Sequence, residues 1–69
     1  MHFKDMILNV YGDDEALNSI LEDLDYIGGV KILSRRDLED GRGVLIIQAM
    51  RYTKYAIIKL AKKYELVVS

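Results

Sequence analysis

The run Val44-Leu45-Ile46-Ile47-Gln48-Ala49-Met50 constrains the fold more than any other part of the sequence. It is rich in residues that favour β-strands, and its two alternating sets of side chains are both mainly apolar. A strand that is apolar on both faces lies inside a sheet, with another strand on each side. The run therefore predicts a sheet in which residues 44–50 form a central strand.

The rest of the chain predicts three further strands and two helices. We expect strands at residues 4–11, 30–38 and 65–68, and helices at residues 13–27 and 53–64. In both helices apolar residues recur at every third or fourth position, as on the buried face of an amphipathic helix. Asp13 and Thr53 are predicted N-caps, and Gly28-Gly29 ends the first helix. The Asp40-Gly41 step between two strand-like runs is a hairpin signal.

The predicted order is βαββαβ, and it implies a specific architecture. Each strand–helix–strand crossover is expected to be right-handed, which places both helices on the same face of one sheet. The expected fold is an α+β ferredoxin-like sandwich, with a four-stranded antiparallel sheet in the strand order 4-1-3-2. We expect residues 1–69 to form this one domain.

Composition excludes several classes of protein. The chain has 69 residues, 51% of them hydrophobic, a net charge of −1, no cysteine and a single histidine, His2. Disulfide scaffolds and thiolate zinc sites are therefore excluded, and His2 alone does not make a metal site. No apolar run approaches the roughly 20 residues that span a bilayer, and the first residues resemble neither a signal nor a transit peptide. We expect a cytoplasmic domain with no cofactor, no metal and no membrane contact.

Catalysis is not expected, and no catalytic residue is predicted. No pair of nucleophile and general base can be assembled, because His2 is alone at a terminus and the only hydroxyls are those of Ser19, Ser34, Thr53, Ser69 and the tyrosines. The acidic run Asp13-Asp14-Glu15 is explained more simply by a helix start than by a magnesium or general-base site. Gly41-Arg42-Gly43 is too short to enclose a phosphate and is typical of a hairpin turn.

RNA binding on the open sheet face is a weaker alternative. The run Arg42-Gly43-Val44-Leu45-Ile46-Ile47 begins like the basic-glycine signature of RNA-recognition motifs. It then has aliphatic residues where that motif places its stacking aromatics, and only Tyr11 is available on the first strand. We therefore predict no nucleic-acid partner.

Charge is distributed unevenly along the chain. Residues 1–34 have two basic and seven acidic side chains, a net −5, whereas residues 35–69 have eight basic and four acidic, a net +4. The first helix is acidic and the second is basic, so antiparallel packing is expected to bring the acidic helix start near Lys62 and Lys63. These charges either solvate two outer faces or orient a dimer or a charged partner.

Two surfaces are candidate interfaces. Ile7, Asn9 and Tyr11 are expected on the sheet face opposite the helices, where an apolar patch favours a homodimer through the sheet or through its edge strands. The alternative is a mixed face on a monomer. Tyr26, Tyr52 and Tyr55 fall on the polar sides of the helices and are expected at one pole, with Lys59 nearby. They either form a protein-contact patch or only cover the helix ends.

Six segments spread over roughly residues 6–68 follow a pattern shared with a known group of domains; they are Val10-Tyr11-Gly12, Ala16 to Leu21, Val30 to Leu33, Arg42 to Ile47, Ala56 to Leu60 and Glu65 to Val68. These segments resemble the small ligand-sensing domains of the ACT group, and more closely their NIL-type relatives found attached to methionine-import ATPases. The resemblance implies a regulatory domain that pairs with another copy and binds an amino acid at the loop after the first strand. The residues at those positions are Tyr11, Gly12, Asp13 and Asp14.

The sequence therefore predicts a non-catalytic regulatory or ligand-sensing domain. It is expected to act through self-association as a homodimer, with an amino acid or a similar small molecule as its effector. The alternative is an adaptor module that binds another protein.

Overall fold

The computed structural model describes residues 6–69, so the predictions for His2 and for the strand start at Lys4 lie outside the described residues. The elements are β1 (Met6–Asp13), α1 (Asp14–Ile27), β2 (Val30–Asp37), β3 (Arg42–Ala49), α2 (Lys54–Lys63) and β4 (Val67–Val68), with a 3₁₀ turn at Arg51–Thr53. The predicted order of strands and helices is confirmed. In the described part of the chain, no helix is long and apolar enough to cross a membrane.

The four strands form one antiparallel sheet in the order β2-β3-β1-β4, which read from its other edge is β4-β1-β3-β2. β3 lies between β2 and β1 and pairs with both over most of its length. The prediction of a central strand is therefore confirmed. The arrangement is an α+β sheet with two helices, and it is compatible with a ferredoxin-like fold.

A single core lies between the sheet and the helices. The sheet contributes the inward-facing Leu8, Val10, Leu45, Ile47 and Ala49, α1 contributes Leu17, Ile20 and Leu24, and α2 contributes Ile57 and Ala61. Both helices pack on the same face of the sheet, because all of these buried side chains belong to one cluster. Ile27, the last residue of α1, is 38% exposed although it is apolar.

The hairpin between β2 and β3 turns at Asp40 and Gly41, as predicted. Their φ values are 63° and 71°, and the Arg42 N–H donates to the Glu39 carbonyl at 3.4 Å, so these two residues are the central positions of a β-turn with the positive φ values typical of hairpins. The hairpin pairs Asp37 with Gly43, and the separate pairing of β3 with β1 places Arg42 opposite Asp13 and Gly43 opposite Gly12. The β1–β3 pairing therefore brings the start of β3 beside the end of β1, where the predicted ligand residues lie.

The strand ends differ from the predicted ones for physical reasons. β1 continues to Asp13 rather than ending at Tyr11, because Gly12 and Asp13 still pair with β3. Asp13 and Thr53 occupy the N-cap positions of the two helices, but neither side chain makes a capping hydrogen bond. The last strand has only two residues, because Glu65 and Leu66 are used to end α2.

The end of α2 is a Schellman motif without glycine. The Glu65 N–H donates to the Lys62 carbonyl at 3.1 Å, and the Leu66 N–H donates to the Ala61 carbonyl at 2.7 Å. Glu65 has a φ of 59°, the left-handed conformation that glycine usually provides. A glutamate side chain is therefore held in a backbone position that few residues other than glycine adopt.

Gly43 allows α1 to lie close to β3. A Cβ atom at this residue would lie 2.8 Å from Asp14 Oδ1, 3.0 Å from the Arg36 carbonyl oxygen and 3.1 Å from Leu17 Cδ1. We expect Gly43→Ala to lower the free energy of unfolding by about 1–3 kcal/mol, because the added methyl group overpacks a site bordered by backbone. Urea unfolding followed by circular dichroism measures this change.

Glu39→Ala, in the exposed turn of the same hairpin, is the control and should change stability by less than about 0.5 kcal/mol. An equal urea midpoint for Gly43→Ala and Glu39→Ala would show that α1 does not need the space at residue 43.

Candidate functional site

The predicted ligand residues border a hollow at the pole of the molecule where β1 and α2 end and α1 and β3 begin. This pole hollow has a volume of about 310 Å³. Its lining residues are Tyr11, Gly12, Asp13, Arg42, Tyr64, Glu65 and Val67. Three of the four predicted ligand residues thus line one hollow, and four further residues from β3, α2 and β4 complete it.

Arg42 provides the positive charge of the pole hollow. Its Nη1 donates a hydrogen bond to the Tyr11 hydroxyl at 3.2 Å, and its Nε lies 3.9 Å from Asp13 Oδ1. The hydrogen bond to Tyr11 is the main cause that raises the pKa of Arg42, and the Asp13 carboxylate adds to it. The guanidinium has five N–H donors, so these two contacts leave others for a ligand.

Asp14, the fourth predicted ligand residue, does not line the pole hollow. Its Oδ1 lies 3.6 Å from Arg35 Nη2, and Arg35 also donates to the Asp14 carbonyl at 3.3 Å and to Asn18 Oδ1 at 2.6 Å. The Asp14 side chain thus joins α1 to β2, and its role as a ligand residue stays a prediction. It lines instead a separate, wider depression with Asp13, Glu15, Ala16 and Gly41.

Tyr64 joins α2 to α1 at the floor of the pole hollow. Its hydroxyl donates a short hydrogen bond to Asp23 Oδ2, and Lys63 Nζ lies 5.3 Å from the centre of its ring. At the acidic helix start, Asp13 and Asp14 form ion pairs with Arg42 and Arg35 of the sheet. The expected proximity of this helix start to Lys62 and Lys63 stays a prediction.

The pole hollow combines both signs of charge with an apolar wall. Arg42 is cationic, Asp13 and Glu65 are exposed carboxylates, and Tyr11 and Val67 provide apolar surface. A guanidinium recognises a carboxylate through paired hydrogen bonds, and a carboxylate recognises an ammonium group. The arrangement can therefore hold a small molecule that carries both groups. Within residues 6–69, no group of three or more His, Cys, Asp or Glu side chains is placed to hold a metal ion.

Sequence reasoning missed Arg42, Tyr64, Glu65 and Val67 as lining residues. The Asp-Gly hairpin signal locates Arg42 at the start of β3, but only the pairing of β3 with β1 places it beside Asp13. Glu65 had no such signal, since a glutamate gives no sign of a left-handed backbone.

The second predicted site, the sheet face opposite the helices, is also present and is called the outer face below. Ile7 and Asn9 of β1 point to it, since their neighbours Leu8 and Val10 are buried in the core. Ile7 is 53% exposed and Val67 of β4 is 60% exposed. The half-buried side chains of β3 complete this face; they are Val44, Ile46 and Gln48. The placement of Ile7 and Asn9 agrees with the prediction, and their role in an interface stays a prediction.

The three predicted tyrosines are strongly exposed. Tyr26 lies in the last turn of α1, and Tyr52 and Tyr55 lie at the start of α2. These two ends meet, because the Met50 N–H donates to the Gly29 carbonyl at 3.1 Å. The Tyr52 hydroxyl also lies 3.2 Å from the position a Gly29 Cβ would take. Lys59 is exposed further along α2, and the contact role of all four residues stays a prediction.

No protein-family model matches the chain, and no curated protein or solved structure is significantly similar to it. The resemblance to ACT and NIL-type domains therefore stays a prediction based on residue patterns. The functional argument depends on the pole hollow and the outer face themselves.

The Tyr64–Asp23 hydrogen bond predicts a pH dependence of stability. The hydrogen bond, the loss of solvent and the Asp23 charge all raise the pKa of Tyr64 above its usual 10.0. The folded chain thus favours the protonated phenol more than the unfolded chain does. The stability from this contact is present below pH 10 and is lost as the pH rises through the raised pKa. The urea midpoint of unfolding should therefore fall as the pH is raised above 10.

The variant Tyr64→Phe removes the titrating hydroxyl and should show a shallower loss of stability above pH 10 than the wild type. Asp23→Asn removes the negative charge beside the Tyr64 hydroxyl. The pKa of Tyr64 should therefore fall towards its usual value, which the ultraviolet absorbance of tyrosinate measures. Parallel losses of stability in the wild type and Tyr64→Phe would contradict the assignment.

Proposed function

We propose that the protein is a cytoplasmic, non-catalytic, ferredoxin-like regulatory domain. It self-associates through the outer face and binds a small zwitterion, an amino acid or a similar molecule, in the pole hollow. One observation carries the proposal: Tyr11 and Val67 belong both to the outer face and to the lining of the pole hollow. A ligand in the hollow therefore lies at the rim of the interface and can change the strength of association.

Self-association is supported by the apolar centre of the outer face. Val44 and Ile46 occupy the middle of the sheet, and Ile7, Tyr11 and Val67 lie beside them on β1 and β4. A contiguous apolar patch on an open sheet costs free energy in water and usually marks an interface. A second copy of the same chain would cover it with an identical patch.

The charges around this patch favour one dimer geometry. Lys31 and Arg36 pair with Gln48 and Val44, so they lie on the outer face along the β2 edge. If the two-fold axis is parallel to the strands, the β2 edge of one copy lies over the β4 edge of the other copy, towards its Glu65. If the axis lies in the interface plane but perpendicular to the strands, the β2 edges of the two copies lie over each other, and their positive charges face like charges. The first arrangement is therefore proposed, because like charges at an interface are repulsive.

Ligand binding is supported by the charge pattern of the pole hollow. Arg42 is placed to bind a carboxylate, and Asp13 and Glu65 on either side are placed to bind an ammonium group. Arg42 also offsets the acidic helix start, which alone would repel a carboxylate ligand. The left-handed Glu65 adds support, since residues in such conformations are concentrated at functional sites.

An adaptor function is the second candidate. It is favoured by the exposure of Tyr26, Tyr52 and Tyr55, because tyrosine is enriched in protein interfaces. In that case another protein, rather than a second copy or a small molecule, would contact the helix ends at the pole opposite the hollow.

Reversing one charge at the proposed interface tests the dimer. We expect Arg36→Glu to weaken self-association at least tenfold, about 1.4 kcal/mol, because it places like charges opposite each other. Glu65→Arg should weaken it similarly, and the double variant should recover most of the loss. Sedimentation velocity over a range of protein concentrations measures the association constant.

Lys59→Glu, on the exposed side of α2, is the matched control and should leave association unchanged. A strictly monomeric wild type, or a double variant no better than either single one, would contradict the proposed dimer.

Amide NMR titration with the common amino acids tests the ligand. We expect at least one of them to shift Tyr11, Gly12, Asp13 and Glu65 at millimolar concentration. Arg42→Gln should lower its affinity at least tenfold, because the charged partner of the ligand carboxylate is lost. Arg51→Gln, at the opposite pole, is the control and should bind as the wild type does.

The two halves of the proposal can fail separately. If no amino acid shifts the pole hollow, ligand sensing is excluded and the dimer result still stands on its own. Shifts confined to Tyr26, Tyr52 and Tyr55 would point to the adaptor surface instead.

A further inference from the structure

A second hollow lies on the side of the molecule, between α2 and the β4 edge of the sheet. This edge groove has a volume of about 350 Å³ and shares no lining residue with the pole hollow. Most of its lining is apolar, and Ser69, Lys54 and Lys62 complete it; the apolar residues are Leu8, Ile58, Ala61, Leu66 and Val68. It also faces away from the outer face, since Leu8 and Leu66 belong to the core between sheet and helices.

The edge groove exists because the elements on its two sides differ in length. α2 has ten residues, whereas β4 beside it has two and pairs with β1 only at Val10 and Tyr11. Ala61 faces the groove with only a methyl group, so the space under the helix is not filled. The result is a trough along α2 rather than a closed core.

The chemistry of the edge groove is that of an amphiphile site. Its floor is apolar, with Leu8, Ala61 and Leu66 at most 7% exposed. Among the residues that line it in the described part of the chain, the charged ones are both lysines, eight residues apart on α2. At 1.5 Å per residue they are separated by about 12 Å along the helix axis. An apolar channel with a few polar groups at its ends is the usual form of a site for small apolar ligands.

We infer that the edge groove binds an aliphatic carboxylate, with the acyl chain along Leu8, Ala61 and Leu66 and the carboxylate on a lysine. Charge complementarity favours carboxylates over other amphiphiles, because a lysine ammonium group forms an ion pair with a carboxylate and forms none with a neutral chain or a cation. The lysine stems extend along apolar surface while their charged ends reach water, which suits the rim of such a groove. This site is independent of the zwitterion proposed for the pole hollow.

Titration with decanoate, below the concentration at which it aggregates, tests the inference. Methyl NMR should show shifts at Ile58, Ala61 and Leu66, and the thermal midpoint should rise because the ligand binds only the folded chain. The double variant Lys54→Glu/Lys62→Glu should lower decanoate affinity at least tenfold. Decanol should bind the wild type at least tenfold more weakly than decanoate, since it lacks the charge.

Lys59→Glu carries the same charge change on the same helix without lining the edge groove, and it should alter decanoate affinity by less than about twofold, as expected for a screened surface charge. Circular dichroism of each variant verifies that it is folded. Absence of methyl shifts in the groove, equal binding of decanol and decanoate, or an equal loss in Lys59→Glu would each overturn the inference. Shifts on the outer face at Ile7 and Val67 alone would assign the binding to the proposed dimer surface instead.

Discussion

The pairing of β1 with β3 along their whole length is the interaction on which the rest of the structure depends. Eight residue pairs join the two strands, from Met6 with Ala49 to Asp13 with Arg42. Their inward side chains form the part of the core against which both helices pack. Their outward side chains form the middle of the outer face, and their last pair forms the rim of the pole hollow. One register thus sets the core, the interface and the site.

Most of the fold could be predicted from periodicity, because two-residue and three-to-four-residue patterns alternate clearly along the chain. Val44 to Met50 identified the central strand, and Asp40-Gly41 identified the hairpin. The ends of elements were less predictable. Asp13 has the residue type of a helix cap, yet its carboxylate lies beside Arg42 because the strand continues further than its composition indicates.

The candidate site was predicted in part for the same reason. Tyr11, Gly12 and Asp13 follow one another in sequence, so a resemblance in that segment could locate them together. Arg42 comes from β3, and Tyr64 and Glu65 come from the segment directly after α2, so only the strand register and the end of α2 bring them there. Asp14 is not among the lining residues of the pole hollow, because adjacent residues at a strand–helix junction point in different directions, and sequence alone does not show which carboxylate faces which arginine.

Two acidic residues of α1 make individual tertiary contacts. Asp14 joins α1 to β2 through Arg35, and Asp23 joins it to α2 through the Tyr64 hydroxyl. Such contacts matter in a chain of 69 residues, where the core is small and no disulfide assists it. They also fix the helices relative to each other at the pole where the hollow opens.

Glu65 shows a conflict between stability and side-chain chemistry. Its left-handed backbone costs about 1–2 kcal/mol relative to an unstrained residue, and glycine would remove that cost while keeping the helix end. A chain selected for stability alone would gain from glycine here, and would lose the carboxylate at the same step. Natural variation at residue 65 can therefore separate backbone stability from side-chain function. Glycine at this position indicates that the residue only ends the helix, and an acidic residue indicates that its carboxylate also serves the surface beside it.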